Sequence, residues 1–489
     1  MKVLFVTTEC EPFAKTGGLA DVCAALPRAL RTLGADARIL LPLYPGIVTE
    51  GLVPVIENLP VTVANKSVLC RVLACRDPSG TTVYFLDQPH YFGRPGLYGE
   101  NGREDADNSE RFILLSRAVI EFLRRQEYCP DILHVHDWFG GLLPVYLKTL
   151  YSGDPRLARI RTVLTIHNVA YQGSFGHMDM RLAGLPWHLY RYDKLEAYGR
   201  LNFLKGGIAF ADRITTVSPQ YAEEIRTPAY GYGLDGALRH RGRDLCGIIN
   251  GIDGEAWNPA TDPHLPARYT AARLEGKKRC KEALEERLGL PASDRPVVGV
   301  IARLAEQKGF ELVIRSFLKL MALDIRFVLL GSGDPRFENA FSKYARRFPE
   351  RAAVNIGFSE ELAHLIEAGS DIYLMPSRFE PCGLNQLYSL RYGTLPIVRA
   401  TGGLDDTVEN YDEKSGDGTG FKFWESTVDA LYYTIGWANS TWYDRPAHIA
   451  KLRDKAMRQD FSWDRSTAAY LAAYARAIRN KQDYDKLPR

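Results

Sequence analysis

Short runs of aliphatic and β-branched residues alternate along the chain with longer stretches in which apolar residues recur every three or four positions. Residues 2–8 form the first short run, and residues 18–33 form the first long stretch, with apolar side chains at 19, 22, 26, 30 and 33. The first pattern predicts a buried strand and the second predicts a helix. The same reading predicts strands at 37–41, 132–136, 162–166 and 213–217, and helices at 111–125 and 205–211. Strands that alternate with helices favour a parallel sheet covered on both faces.

The alternation restarts after a polar, proline-containing stretch at residues 250–266. It predicts strands at 297–302, 326–330, 353–356, 371–375 and 395–398, and helices at 309–322, 336–347, 360–368 and 383–392. We therefore predict an α/β protein with two Rossmann-like doubly wound domains, at residues 1–249 and 250–460. The remaining segment, 461–489, carries an amphipathic helix at 463–478, whose apolar face must pack on one of the domains.

The composition is that of an ordinary globular protein and excludes several classes. Hydrophobic residues make up 46% of the 489, and the net charge is only +3, which argues against a nucleic-acid or membrane surface. The eight cysteines form no C-x-x-C pair, so we expect reduced thiols and no metal ribbon. No apolar run approaches the ~18 residues needed to span a bilayer. A first strand directly after Met1 leaves no room for a targeting segment, so we expect a cytoplasmic protein.

Two open parallel sheets predict where ligands bind. Each sheet offers a crevice beyond the carboxyl ends of its strands. Two such edges facing each other across a deep cleft would make one site that holds two substrates and excludes water. Candidate functional residues should therefore follow strands, and they do.

The glycine turn Lys15-Thr16-Gly17-Gly18 lies between the first predicted strand and the first predicted helix. Glycines at a helix start let backbone amides approach an anion, and the helix dipole assists. The turn has neither the G-x-G-x-x-G nor the P-loop spacing. By itself it fits a phosphate site and an ordinary glycine-rich connection equally well.

Two histidine-containing motifs follow predicted strands in the first domain. His134 and His136 lie on one face of their strand, ahead of Asp137, and a metal-dependent hydrolase could use that spacing. The alternative is a core histidine beside an aspartate that faces the ligand crevice. His167-Asn168 follows the next strand. His167 could orient a hydroxyl group, or the pair could simply cap a turn.

The second domain offers cations, a carboxylate and a second glycine turn after its strands. Arg303 and Lys308 precede a helix, where acidic residues are favoured, so an anionic ligand is expected beside them. Glu380 precedes another helix and could face sugar hydroxyls, or it could merely complement the helix dipole. Thr401-Gly402-Gly403 has the composition of the turn at Thr16. Asp105 and Asp107 have the D-x-D spacing of metal-dependent transferases, but we interpret them as a solvated loop.

Taken together and in order, these motifs resemble bacterial glycogen synthases, which are close kin of plant starch synthases. The resemblance runs from residue 1 to about the terminal helix. Its motifs are KTGGLADV at 15–22, HDW at 136–138, TIHN at 165–168, NGID at 250–253, RL…KG at 303–309, SRFEPCGL at 377–384 and TGGL at 401–404.

The resemblance implies a GT-B fold with the active site between the two domains. It implies retaining transfer of glucose from ADP-glucose to the non-reducing end of an α-1,4-glucan such as glycogen, with release of ADP. It implies that no metal is required, because protein cations neutralise the departing diphosphate. It also implies that the terminal helix crosses back onto the first domain. The oligomeric state stays open.

Residue roles also come from the resemblance. Arg303 and Lys308 would stabilise the leaving ADP, and Glu380 would stabilise the positive charge that develops on the sugar ring. His167 would lie near the reacting centre, and Asp137 would contact the glucose. Gly18 and Gly403 would line the phosphates through their backbone. The other expected donor-site residues are Lys15, Gly17, Asp21, Asn168, Asn250, Phe358 (stacking on adenine), Cys382, Gly383, Leu384, Thr401 and Gly402.

One position departs from the wider retaining GT-B pattern. Many such enzymes carry a second glutamate eight residues after the first, and Tyr388 occupies that position here. Three alternatives to ADP-glucose-dependent synthesis are considered. One is a related GT-B transferase that uses UDP-glucose or another acceptor, and another is the metal hydrolase built on His134 and His136. The third is a catalytically silent glucan-binding protein, against which the intact set of Arg303, Lys308 and Glu380 argues.

Overall fold

A computed structural model describes residues 1–100 and 103–484, which divide into two compact units. The first unit comprises Met1–Val217, Ala222–Ile248 and the chain from Trp463 onward, and the second comprises Ser218–Tyr221 and Ile249–Ser462. The second unit thus starts one residue before the predicted boundary at residue 250. Residues 485–489 of the predicted terminal segment lie outside the described residues.

The first unit is built on a nine-stranded sheet with the order β14-β13-β9-β8-β1-β2-β5-β4-β3. Strands from β14 to β5 in this order pair in parallel, whereas β4 and β3 form an antiparallel edge that the sequence pattern did not predict. The strands of this unit are β1 (Lys2–Val6), β2 (Asp36–Pro42), β3 (Val53–Val63), β4 (Lys66–Arg76), β5 (Thr82–Asp87), β6 (Gly99–Glu100), β7 (Arg103–Glu104), β8 (Ile132–His136), β9 (Arg161–Ile166), β10 (Ser174–Phe175), β11 (Glu196–Ala197), β12 (Arg200–Asn202), β13 (Arg213–Thr216) and β14 (Leu245–Gly247).

Helices cover the sheet where apolar residues recur with helical spacing. In α1 the side chains of Leu19, Val22, Leu26 and Leu30 are buried, as the periodicity predicted. The helices up to the second unit are α1 (Gly18–Thr32), α2 (Pro89–Phe92), α3 (Asn108–Arg125), α4 (Leu142–Lys148), α5 (Asp179–Ala183), α6 (Phe203–Phe210), α7 (Pro219–Glu224) and α8 (Asp235–His240).

The second unit contains a six-stranded parallel sheet with the order β17-β16-β15-β18-β19-β20. Its strands are β15 (Val297–Ile301), β16 (Arg326–Gly331), β17 (Ala352–Ile356), β18 (Ile372–Met375), β19 (Leu395–Arg399) and β20 (Phe421–Phe423). Its helices are α9 (Glu275–Arg287), α10 (Phe310–Leu320), α11 (Pro335–Arg347), α12 (Glu360–Gly369), α13 (Asn385–Arg391), α14 (Gly402–Thr407), α15 (Val428–Asp444) and α16 (Pro446–Met457). Separate apolar clusters, one of which includes Phe317 and the other Leu284, pack against the sheet.

The terminal helix α17 (Trp463–Tyr484) belongs to the first unit, where it packs on α1, β9 and β13. Tyr474 anchors it, because its buried hydroxyl lies 2.8 Å from Nδ1 of His134 on β8. No helix in the described part of the chain is long and apolar enough to cross a membrane.

Candidate active site

The centre of the second sheet is a topological switch point. β15 pairs with β16 on one side and with β18 on the other, so the segments that follow β15 and β18 leave the same edge side by side. Ligands of open α/β sheets bind where the strand order reverses in this way. The segment after β15 carries Arg303 and Lys308, and the segment after β18 carries Glu380.

Lys308 and Glu380 form a direct ion pair at this point. Nζ of Lys308 lies 2.7 Å from Oε2 of Glu380, and the Ser377 hydroxyl donates to the same oxygen at 2.9 Å. The carboxylate side chain is 8% exposed and the lysine side chain 23%. The family resemblance implies that Lys308 faces the diphosphate and Glu380 the sugar ring. In the structure the two side chains also contact each other.

Backbone contacts hold the two segments together around this pair. The amide of Arg378 donates to the carbonyl of Gln307, and the Gln307 side chain donates to the carbonyl of Phe379. Gly309 has φ +71°, and a Cβ there would lie 2.0 Å from the Pro376 carbonyl oxygen. Only glycine therefore allows this approach, which fixes Lys308 beside the second segment.

Arg303 is a second cation on the same segment. Its side chain is exposed, and it has no hydrogen bond or ion pair with any residue that the structure describes. An exposed guanidinium without a carboxylate partner, close in sequence to Lys308, suits an anionic ligand such as a diphosphate.

The glycine turn at 401–403 has a structural task that the sequence did not reveal. Gly402 has φ +47°, and a Cβ at Gly402 or Gly403 would lie about 2 Å from the carbonyl oxygen of Glu380 or Cys382, respectively. The amide of Gly403 donates to the carbonyls of Glu380 and Pro381, each at 3.1 Å. This amide is therefore already bonded within the second unit, and the expected phosphate contact of Gly403 stays a prediction.

The side-chain oxygen of Asn250 lacks a hydrogen-bond donor among the described residues. The residue is 5% exposed, and its Oδ1 is buried without a hydrogen bond among the described residues. Such groups are rare in folded proteins, and each calls for an explanation such as a bound ligand. Cys382 lies next to it, since its thiol bonds to the Asn250 backbone, and burial raises the pKa of that thiol to about 12.

Two aromatic side chains of the second unit have contrasting surroundings. Phe358 follows β17 and is 86% exposed, so its ring is accessible for stacking on a ligand. Tyr388, at the position of the second glutamate of other enzymes, stacks on Trp257 with ring centroids 3.9 Å apart.

Cys382 and Thr401 are buried, and Gly383 and Leu384 are half-buried in the chain that leads into α13.

In the first unit a carboxylate occupies the glycine turn. Glu9 accepts hydrogen bonds from the amides of Thr16 and Gly17 at 2.6 and 3.1 Å, and from the Thr16 hydroxyl at 2.7 Å. The turn is thus an anion site, as its composition suggested, but its anion is Glu9. A substrate contact of Gly17 cannot use that amide. Glu9 could have been found from the sequence, because it is an acidic residue directly after the strand predicted at residues 2–8.

Lys15 is also partnered within the turn. Its Nζ lies 2.8 Å from Asp21 and 3.1 Å from Glu11. Partial burial opposes the charge of Lys15, but these carboxylates raise the pKa of the lysine above its ordinary value. Burial likewise raises the pKa of Asp21 despite the bond to Lys15. Lys15 is about half exposed and is positioned by Asp21, one of the predicted donor-site residues.

Asp137 is held in a strained and buried position directly after β8. It has φ +49° and is 7% exposed, and such outliers occur mainly at functional sites. Its Oδ1 accepts the backbone amides of His167 at 2.7 Å and Asn168 at 3.4 Å. Burial nevertheless raises the pKa of the carboxyl to about 7. Asp137 therefore positions the loop that carries His167.

The rings of His134, His136 and His167 lie side by side, the first two buried and His167 half-buried. Nδ1 of His136 lies 3.0 Å from Nε2 of His167, and burial lowers the pKa of His167 to about 3. Both nitrogens of His134 are engaged, by Tyr474 and by Thr165 at 2.6 Å. Both ring nitrogens of His134 are thus already hydrogen-bonded, which argues against the metal hydrolase built on His134 and His136.

Contacts within the first unit also involve Asn168 and the two aspartates Asp105 and Asp107. Asn168 caps a local turn, since its Oδ1 accepts the amide of Ala170 at 3.0 Å. Asp105 and Asp107 are not simply solvated, because Arg94 pairs with both and buried Arg111 pairs with Asp105. These pairs give both aspartates a structural task.

Comparison with known proteins agrees with this architecture. Residues 2–240 match the family model described as the starch synthase catalytic domain, and residues 282–440 match glycosyl transferases group 1. The chain is 46% identical to glycogen synthase 1 of Geobacter sulfurreducens, over 98% of this chain and 97% of the relative. It is 50% identical to a glycogen synthase of Anaeromyxobacter dehalogenans, over 97% and 99% respectively.

The solved catalytic domain of starch synthase IV from Arabidopsis thaliana, bound to ADP and acarbose, superposes with a TM-score of 0.89 at 34% identity. The match covers 98% of this chain and 99% of that one. The fold and the site define a glycosyltransferase of the GT-B class. Within that class, the chain belongs to the glycogen synthase family.

Proposed function

We propose that the protein transfers glucose from ADP-glucose to the non-reducing end of an α-1,4-glucan, with retention at the anomeric carbon and release of ADP. The observation that carries the proposal is the Lys308–Glu380 pair at the switch point of the second unit, with exposed Arg303 nearby. The names of the similar proteins, and the ADP bound in the starch synthase structure, support the donor and the polymer.

The charges suit the bond that breaks. Cleavage of the bond between C1 of glucose and the diphosphate leaves negative charge on the diphosphate and positive charge on the ring. Arg303 and Lys308 meet the negative charge, and Glu380 meets the positive one. Because these groups are held in place before the reaction, they stabilise the transition state without reorganisation.

Other residues bind and orient the substrates in this proposal. Lys15 and Gly18 contact the donor, and Asp21 positions Lys15. The orphaned Oδ1 of Asn250 accepts a glucose hydroxyl, and exposed Phe358 stacks on the adenine.

Asp137 and His167 act near the reacting sugar. Burial disfavours the charged form of His167, so the ring is neutral. A neutral ring can form a hydrogen bond with a glucose hydroxyl. Asp137 holds the His167 loop through the two backbone bonds described above.

We propose that the transfer requires no metal ion, because Arg303 and Lys308 neutralise the departing diphosphate, as a metal ion does in other transferases. We also propose that the enzyme acts in the cytoplasm. Glucosyl transfer that persists unchanged in excess EDTA would agree with the first statement, and transfer that EDTA abolishes would contradict it.

Product analysis tests the reaction type. The enzyme is incubated with ADP-glucose and a short maltooligosaccharide, and the products are separated by mass and examined by NMR. We expect a ladder of chains that each gain one α-1,4-linked glucose, with one ADP released per glucose. Free glucose without chain growth would indicate a hydrolase, and β-linked products would contradict retention.

A further inference from the structure

Three metal-ligating side chains meet in the second unit, and none of them is a residue to which the proposed transfer assigns a role. They are His264, in the loop that precedes α9, and Glu360 and His364 of α12. One ligand atom from each lies within 4.8 Å of the other two. Glu360 and His364 are four residues apart, so they share one face of the helix. This juxtaposition comes from the packing of a distant loop against α12, which the sequence pattern alone does not show.

A buried carboxylate orients the central histidine. Asp262 is 0% exposed, and its Oδ2 lies 2.7 Å from Nδ1 of His364. The other oxygen of Asp262 accepts the backbone amide of His264 at 2.8 Å. Asp262 thus holds both histidines. In histidine ligands of metal ions, the N–H of the second ring nitrogen almost always donates a hydrogen bond to a carboxylate, a carbonyl or water, which fixes the ring and makes it a better ligand.

The remaining ligand atoms are available. No residue in the described part of the chain forms a hydrogen bond or ion pair with Nε2 of His364 or with the side chains of His264 and Glu360. The His364 ring is buried and stacks on Trp257 with centroids 3.9 Å apart, so its direction is fixed. His264 is half-buried and Glu360 is exposed, so both can adjust.

We propose that His264, Glu360 and His364 bind a divalent transition-metal ion of the zinc type, with Asp262 as the carboxylate partner of His364. Two imidazoles and one carboxylate suit Zn²⁺ and its neighbours, whereas Mg²⁺ and Ca²⁺ prefer oxygen ligands only. Ligands about 2 Å from a tetrahedral zinc ion lie about 3.3 Å from one another, so Glu360 and His264 must close in by rotation. Water would fill the fourth position.

The ion would join the loop at residues 262–264 to the first turn of α12. This is a stabilising clamp, separate from Lys308 and Glu380, so metal removal leaves the transfer chemistry in place. An ion that binds only the folded chain raises the free energy of unfolding with the logarithm of the ratio of free ion to dissociation constant. The structure therefore predicts a melting temperature that rises with Zn²⁺.

The experiment uses the full chain without an affinity tag, stripped with chelator and exchanged into metal-free buffer. Titration with Co²⁺, which reports its coordination through visible absorption, should give one ion per chain and the intense bands of a four- or five-coordinate site. Zn²⁺ should displace Co²⁺ and abolish the bands. A wild-type chain that binds neither ion, or that gives only the weak spectrum of hydrated Co²⁺, would overturn the proposal.

Two variants and a control make the assignment specific. His264→Ala and Glu360→Gln alter side chains that are not buried, so both should fold with the wild-type melting temperature in chelator. Each should weaken Co²⁺ binding at least about 10- to 100-fold, the cost of losing even an outer partner of a metal ligand. His240→Ala removes an exposed histidine elsewhere and should change nothing. Equal affinity in wild type and both variants would show an adventitious ion only.

Discussion

The ammonium group of Lys308 lies 2.7 Å from Oε2 of Glu380, and this contact joins the chain that follows β15 to the chain that follows β18. The hydroxyl of Ser377 fixes the same oxygen. Both charges are therefore in position before a substrate arrives. Charges held in this way are often the largest single contribution to catalysis, so the pair is the first target for mutation.

Replacing Lys308 by alanine removes the cation that is proposed to stabilise the departing diphosphate. We expect kcat to fall by about 10²- to 10³-fold, the loss typical of one preorganised charge partner, with much less change in the KM for glucan. Steady-state kinetics with varied donor and varied acceptor measure both. Lys319→Ala removes an exposed lysine of α10 and serves as the control. An unchanged kcat in Lys308→Ala would remove the residue from the mechanism.

The variant Glu380→Gln separates two possible tasks of the carboxylate. If Glu380 only positions Lys308, the double variant with Lys308→Ala should be no slower than Lys308→Ala alone. We expect the double variant to be clearly slower, because Glu380 also stabilises the positive ring. A double-mutant cycle on kcat gives the coupling energy, which for groups in contact is about 0.5–3 kcal/mol. Full non-additivity would reduce Glu380 to a positioning residue.

Gly17→Ala tests whether a substrate approaches the first glycine turn. The backbone of Gly17 is extended, and a Cβ there meets no atom within 4 Å, so the variant should fold with at most a small loss of stability. If the donor phosphates lie against the turn, the methyl group should raise the donor KM by about tenfold, which corresponds to about 1.4 kcal/mol. Gly153→Ala, equally free of contacts, is the control. Unchanged donor kinetics would place the phosphates elsewhere.

Asp137→Asn tests the effect of burial on the carboxyl group. Burial raises the pKa of Asp137 to about 7, whereas an unfolded aspartate titrates near 3.9. Between these values the folded chain binds more protons than the unfolded chain, so Asp137 lowers the stability progressively as the pH rises. Asparagine keeps the shape and the acceptor for both backbone bonds without the charge.

We therefore expect Asp137→Asn to gain stability relative to wild type as the pH rises from about 5 to about 8. Urea unfolding at several pH values measures the difference. The exposed residue Asp464, changed to asparagine, provides the baseline. A difference between Asp137→Asn and wild type that does not vary with pH would contradict the shifted pKa.

The sequence predicted most elements of the second unit because each strand and helix there has a clear apolar period. Strand β16 and helix α12, for example, begin at the residues where the pattern changes. The edge strands β3 and β4 were missed. Their exposed and buried residues alternate irregularly around bulges, so neither a helical nor a strand period stands out.

The sequence suggests which residues form the candidate site, but it does not show the contacts among them. Motif order located Lys308, Glu380, Asp137 and the two glycine turns. Which atoms are already paired depends on backbone geometry that no local pattern encodes. The amide of Gly17 bonds to Glu9, and that of Gly403 bonds to carbonyls of the neighbouring segment. Close backbone approach thus explains the glycines at 402 and 403, whereas a Cβ at Gly17 would meet no atom within 4 Å.

Incorporation of labelled glucose is the most direct test of whether this chain builds α-glucan from ADP-glucose. Glycogen is incubated with equal concentrations of labelled ADP-glucose or UDP-glucose, and the label in the precipitated polymer is counted, with Lys308→Ala as the blank. We expect rapid incorporation from ADP-glucose and little from UDP-glucose. Preferential incorporation from UDP-glucose, or no incorporation from either donor, would contradict the proposed function.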